Sequence, residues 1–282
     1  MDIPPNLFKR ALREGRPQIG LWCSLGSATV AEILAHAGFD WVLIDTEHAP
    51  NELPSVVEQL RALSGGSTSA LVRPAWNDPV LLKRLLDVGA QTVLVPFVQN
   101  AEEAKRAVAA TRYPPEGIRG VASLHRANAY GRNPAYFQQA HEEMCVLVQL
   151  ESRAAVGALE AIAAVPGVDG VFIGPSDLAS SLGHLGNPRH PDVQTAIAEA
   201  CGRARKVGKP IGILAPLEDD ARRFLEMGFG YVAVGSDLGV LRQGVDRLRG
   251  AFPTTEANET AETRVRTWRV RPGPGPRDTG TK

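Results

Sequence analysis

Apolar runs of strand length recur along this chain at 19–25, 41–44, 70–72, 92–97, 145–150, 170–173, 210–214 and 231–234. Several are rich in Val and Ile and lack polar alternation, the pattern of strands buried on both faces. Between them, apolar residues fall at helical spacing over 30–37, 53–63, 79–88, 101–111, 154–164, 191–207, 217–227 and 238–248. Gly38, Gly89, Gly208 and Gly228 end four of these segments, where a left-handed residue stops a helix. Pro79 behind Asp78 reads as a first-turn proline behind an N-cap.

Strand and helix alternate through the whole pattern. At this length the alternation predicts an α/β fold, a (β/α)8 TIM barrel, with a doubly wound sheet as the competing arrangement. The phrases Ala37-Gly38-Phe39-Asp40, Val88-Gly89-Ala90-Gln91 and Met227-Gly228-Phe229-Gly230 each join a helix stop to the next strand, as repeated units of one barrel do. The barrel is assigned to 1–252. The longest connection, 112–143, is placed over the mouth of the barrel because it comes after the fourth strand. Residues 253–282 are polar and end in a run of alternating Pro and Gly, and are expected to form a flexible extension.

Charge removes whole classes of function. Lys plus Arg and Asp plus Glu both number 31. That balance gives no support for a general nucleic-acid or membrane-surface role. Cys23, Cys145 and Cys201 are scattered, so neither disulfides nor a zinc–thiolate site is expected, and a reducing cytoplasm is the better assignment. The N-terminus lacks the regions of a signal peptide, and no apolar run approaches the roughly 20 residues of a spanning helix.

The strand ends carry the chemistry. Strand two runs into Asp45-Thr46-Glu47-His48, strand three into Arg73-Pro74, strand five into Gln149 and Glu151, and strand six into Ser176-Asp177. In a barrel these ends share one rim. Two carboxylates on consecutive strands, Glu151 and Asp177, are a donor set for a hard divalent cation that keeps positions open for a chelating 2-oxo acid. His48 is the candidate general base because its ordinary pKa lies near neutrality. Asp87 ends a helix, where its charge opposes the helix dipole unless it has a partner, and a bond to His48 would supply one. Arg73 suits an oxyanion, being always charged and a forked donor. For each residue the structural alternative is a helix cap, a salt bridge or a loop histidine. Val234-Gly235-Ser236-Asp237 offers a weak phosphate cradle. None of Lys83, Lys105, Lys206 and Lys209 falls at a strand end, so a Schiff-base lysine is not indicated.

From Asn6 to Leu248 the sequence resembles the metal-dependent class II pyruvate aldolases of the HpcH/HpaI family, the 4-hydroxy-2-oxoheptanedioate aldolase type. The matching phrases include Asp45-Thr46-Glu47-His48-Ala49-Pro50, Val72-Arg73-Pro74, Leu86-Asp87-Val88-Gly89-Ala90-Gln91, Gly117-Ile118-Arg119-Gly120, Gln149-Leu150-Glu151 and Ile173-Gly174-Pro175-Ser176-Asp177-Leu178. The resemblance implies a barrel whose last helix is exchanged between subunits of a homohexamer, a trimer of dimers. It implies Mg2+, Mn2+ or Co2+ on Glu151 and Asp177, His48 as base with Asp87 raising its basicity, and Arg73 on the enolate oxygen. Gln149, Ser176 and Asp177 would contact the pyruvate unit, with Trp22 and Leu214 on the aldehyde side.

The expected reaction is reversible cleavage of a 4-hydroxy-2-oxo acid to pyruvate and an aldehyde. Three other readings compete: a lyase acting on a CoA thioester or an oxaloacetate-like substrate, a phosphosugar isomerase built on Gly235-Ser236, and a non-catalytic barrel.

Overall fold

The computed structural model describes residues 3–252. The strands β1 (Gln18–Cys23), β2 (Trp41–Asp45), β3 (Ser69–Arg73), β4 (Thr92–Val95), β5 (Cys145–Leu150), β6 (Gly170–Ile173), β7 (Ile211–Leu214) and β8 (Tyr231–Ser236) pair in parallel in chain order. β8 closes on β1, so the sheet is a barrel with no free edge. The doubly wound alternative is thereby excluded. Each of the predicted apolar runs is one of these strands, with ends shifted by at most two residues.

The helices are α1 (Leu7–Arg13), α2 (Ala28–Ala35), α3 (Leu53–Leu63), α4 (Pro79–Asp87), α5 (Ala101–Thr111), α6 (Tyr136–Glu143), α7 (Arg153–Gly157), α8 (Leu159–Ala163), α9 (Pro175–Ser181), α10 (Pro191–Lys206), α11 (Glu218–Met227) and α12 (Asp237–Gly250). Asp78 caps α4 by accepting from the amides of Val80 and Leu81. Gly38, Gly89, Gly208 and Gly228 all have positive φ, as their helix-stop role requires. The segment predicted as one helix over 154–164 is two short ones, broken at Ala158 just after Gly157, a poor helix former. No described helix is long and apolar enough to cross a membrane. Among the described residues one compact unit covers 3–240, and the other, 241–252, holds the rest of α12 and the two residues after it. The extension predicted over 253–282 lies outside the described residues.

Side chains alternate strictly across the strands, as the pleat demands. Trp41, Leu43, Leu71, Leu94, Leu147, Phe172, Tyr231 and Ala233 fill the barrel interior, while Val42, Ile44 and Val72 face the surrounding helices. Two large interior rings are admitted by missing side chains. A Cβ on Gly20 would lie 2.1 Å from the Trp41 ring, and one on Gly212 would lie 2.3 Å from Tyr231. α1, absent from the sequence reading, precedes β1 and closes the foot of the barrel with Phe8, which meets Trp41 and Tyr231 edge-on. From there rings continue upward: Tyr231 to Phe172 at 5.9 Å, Phe172 to Trp22 at 5.6 Å, and Trp22 to the Arg73 guanidinium at 5.2 Å.

The long connection is not where it was expected. It leaves from the C-terminus of α5, not from β4. A strand leads to the mouth and the following helix leads back to the foot, so 112–143 packs at the foot. Its contacts agree: Arg126 Nη1 donates to the Val88 carbonyl just beyond α4, and Glu143 accepts from the Asn6 amide just before α1.

Candidate active site

The inward parity of the strands brings the polar strand ends together. Register pairs Asp45 with Arg73 across β2 and β3, so both side chains point into the mouth. Asp45 Oδ1 accepts from Arg73 Nε at 2.8 Å, and Oδ2 accepts from Nη2 at 2.7 Å. The remaining arm, Nη1, donates to Gln149 Oε1 at 3.3 Å. It also forms an ion pair with Glu47 Oε2 at 2.7 Å, an oxygen that accepts no hydrogen bond. Trp22 Nε1 donates to Asp45 Oδ2 at 3.3 Å.

Electrostatics separate the carboxylates. Burial pushes the Asp45 carboxyl up, but the bonds and charge of Arg73 outweigh it and hold it below the usual range. Glu47 goes the other way, raised first by burial, against the pull of Arg73 and His48. Glu151 is only 3 % exposed. Burial, then the charges of Glu47 and Asp177, push it up to about 7, against the Phe97 amide and Arg73.

Glu151 follows β5 by one residue and keeps the inward parity of Gln149. Its Oε1 accepts from Gln149 Nε2 at 2.8 Å and its Oε2 from the Phe97 amide at 3.0 Å. Gly174 leaves the room this carboxylate occupies, since a Cβ there would lie 2.3 Å from Oε1. Asp177 lies in the first turn of α9, behind Pro175, where a carboxylate is favoured by the helix dipole. Ser176 and Asp177 are both exposed, and Leu214 is half-buried at the end of β7.

The structure therefore gathers Trp22, Arg73, Gln149, Glu151, Asp177 and Leu214 at one end of the barrel. His48 joins them on the β2 loop, with its side chain 67 % exposed and Nε2 3.9 Å from Glu47 Oε1. Asp87 does not join them. It ends α4 at the foot, where Arg119 Nη2 holds it at 2.7 Å. Within one chain His48 and Asp87 sit at opposite ends of the barrel, so an orienting bond between them cannot form inside one subunit. The sequence reading gave no role to Asp45 or Glu47. Their parity supplied the signal, since residues two apart at a strand end face the same side.

A second donor set, His184, His190 and Asp192, stands between α9 and α10. Its two imidazoles stack at 3.5 Å with only 13° between planes, so their in-plane lone pairs do not converge on one point. His190 Nδ1 already accepts from the Asp192 amide. This group caps α10 rather than forming a metal centre.

Four acidic side chains and one arginine at the mouth leave an excess of negative charge. Hard oxygen donors and a buried carboxylate pushed toward neutrality both fit a divalent cation. Among the described residues no lysine lies at a strand end of the mouth; Lys9, Lys83, Lys105 and Lys206 are on helices, and Lys209 precedes β7.

Comparison with known proteins gives the family. The family model for HpcH/HpaI aldolase/citrate lyase matches residues 18–244. A 5-keto-4-deoxy-D-glucarate aldolase of Klebsiella pneumoniae subsp. pneumoniae is 55% identical over 250 residues, 89% of this chain and 98% of the relative. A 4-hydroxy-2-oxo-heptane-1,7-dioate aldolase of the same organism is 56% identical over 258 residues, 91% of this chain and 97% of the relative. A crystal structure of an HpcH/HpaI aldolase/citrate lyase family protein from Burkholderia cenocepacia superposes with a TM-score of 0.84 at 44% identity, over 87% of this chain and 99% of that one. The family model and the relatives show that the chain belongs to the HpcH/HpaI aldolase family and is a carbon–carbon lyase.

Proposed function

We propose that this enzyme is a class II pyruvate aldolase that reversibly cleaves 4-hydroxy-2-oxo acids to pyruvate and an aldehyde. The observation that carries the reading is the buried Glu151 carboxylate, flanked by Asp177 and Glu47 and set across the mouth from the Arg73 fork. Glu151 and Asp177 would hold Mg2+, Mn2+ or Co2+, which when bound supplies a Lewis acid for the substrate's carboxylate and keto oxygens.

The chain's own residues divide the remaining work. Gln149 and Ser176 orient the acid. Arg73, locked edge-on by Asp45, presents Nη1 to the oxygen that becomes the enolate oxygen. His48 takes the proton of the 4-hydroxyl. As that oxygen becomes a carbonyl, the C3–C4 bond breaks and the aldehyde leaves. The bonding pair passes into the pyruvate enolate, and a proton delivered to C3 completes pyruvate. Trp22 and Leu214 border the space left for the aldehyde. The test is direct: pyruvate release from both 4-hydroxy-2-oxo-heptane-1,7-dioate and 5-keto-4-deoxy-D-glucarate, with and without exhaustive chelation. Full activity after chelation would refute the metal's role.

The same reading extends to assembly. Asp87 can serve His48 only if the foot of one barrel docks on the mouth of another. Ile118, Val121 and Leu124, on the segment that carries Arg119, are all exposed. Leu238 and Val240 at the start of α12 are exposed as well. These faces fit a homohexamer, a trimer of dimers, with the last helix exchanged, and light scattering of the purified protein tests it. The three cysteines are free and buried, which fits a cytoplasmic enzyme.

A further inference from the structure

Phe97 carries the mouth's departure from ordinary backbone geometry. Its φ is +54°, in the left-handed region that bulky side chains rarely adopt. The other described non-glycine residues with positive φ, Ala129 and Tyr130, lie in the foot connection. Strain kept at a mouth asks for a reason.

The bonds made by the segment after β4 give one. The Phe97 amide donates to Glu151 Oε2 at 3.0 Å. The next amide, Val98, donates to the Gln149 carbonyl at 3.1 Å. Gln99 then reaches the Ser152 hydroxyl, and Ser152 caps α7. The segment thus clamps the residues before, at and after Glu151, but only the Phe97 bond touches the carboxylate. A carboxylate turns freely about its terminal torsion unless both oxygens are held. Gln149 holds Oε1, Gly174 abuts it, and Phe97 holds Oε2, which leaves each oxygen one lone pair for a ligand. At an ordinary φ the Phe97 amide would point elsewhere. The Phe97 ring takes no part in this; it stacks on Trp76 at 5.8 Å, with both rings facing outward.

We propose that Phe97 is a positioning residue for Glu151: its left-handed backbone aims the amide that fixes the carboxylate for a divalent cation. The inference rests on the metal reading above and assigns part of that site's affinity to a backbone conformation. Groups that orient a metal's ligands typically change its affinity by about 10- to 100-fold.

The test is calorimetric titration of metal-free protein with Mn2+, for wild type and for Phe97→Gly, Phe97→Asn, Phe97→Ala and Phe97→Val. All four variants lose the ring, but they differ in tolerance of positive φ, with Gly and Asn permissive and Val most opposed. The expected result is Gly and Asn within about threefold of wild type, Ala intermediate, and Val weaker by about 10- to 100-fold. Thermal unfolding of the metal-free variants checks that each folds. If Val does not fold, the contrast between Ala and Gly decides. Equal weakening in Gly and Val would assign the effect to the ring and overturn the proposal, as would unchanged affinity in a folded Val variant. A wild type that cleaves 2-oxo acids without binding Mn2+ would overturn the metal reading itself, and this inference with it.

Discussion

Asp45 spans two nitrogens of Arg73, Nε at 2.8 Å and Nη2 at 2.7 Å, so the guanidinium plane is set by the carboxylate beside it on the neighbouring strand. A lysine is a point donor and cannot reproduce that plane. Arg73→Lys should therefore keep the fold and lower kcat/KM by about 10²- to 10³-fold, the range seen when one oxyanion donor is lost. Arg73→Ala is a poorer probe. It leaves Asp45, 2 % exposed, buried beside Glu47 without a counter-charge, which should cost about 3–5 kcal/mol of stability. Steady-state kinetics with parallel thermal melts distinguish the two, and a lysine variant with wild-type kcat would remove Arg73 from the chemistry.

Glu151 makes the metal-free protein sensitive to pH. Its folded pKa of about 7 lies above the ordinary carboxylate value of 4.5. The native state therefore holds a proton that the unfolded chain has released, and stability falls as pH rises between those values. The raised Glu47 acts in the same direction. Denaturant melts of metal-free protein at pH 5 and pH 8 should differ by on the order of 3 kcal/mol, the acid side being more stable. Glu151→Gln should flatten most of that slope. Mn2+ at pH 8 should restore the loss, because the ion replaces the proton as partner of the carboxylate. A slope of opposite sign would contradict the burial of Glu151 as the dominant influence.

Gly174→Ala should damage the site while sparing the backbone. The residue has φ −91° and ψ 98°, an extended conformation open to any side chain. Its new methyl would fall 2.3 Å from Glu151 Oε1 and push the carboxylate off Gln149 and Phe97. Mn2+ affinity should drop by about 10-fold or more, with a stability cost of about 1–3 kcal/mol from overpacking. Calorimetry and a melt measure both, and unaltered metal affinity would mean that the carboxylate is not held as described.

His48 and Asp87 can be tested as residues of different subunits. His48→Ala and Asp87→Asn should each be impaired alone. Mixed assemblies, made by co-expression, should regain part of the wild-type rate if the two residues meet between subunits, since some interfaces then pair an intact His48 with an intact Asp87. No recovery on mixing would end the idea that the two meet across an interface.

The sequence carried the barrel almost completely, because strands buried on both faces are apolar runs and glycine stops mark the ends of four of the helices between them. Arg73, Gln149 and Glu151 were legible as polar residues closing such runs. Asp45 and Glu47 obey the same parity, yet their task depends on the β2–β3 register, which pairing alone fixes. The short α1 escaped, because its seven residues are too few for a periodicity to show. The foot position of 112–143 follows from the return of α5 to that end, which the order of the strands alone does not convey. Asp87 differs: its sequence context matches a family motif, but within the chain its partner is Arg119 at the foot, because α4 carries it away from the mouth.

The column of rings from Phe8 to Trp22 makes the N-terminal segment a foundation for chemistry at the far end of the molecule. A chain shortened past Phe8 would be expected to lose the footing under Arg73 along with a stretch of tail. Drift in acceptor preference is then left to the rim loops, which can change without disturbing the pillar beneath them.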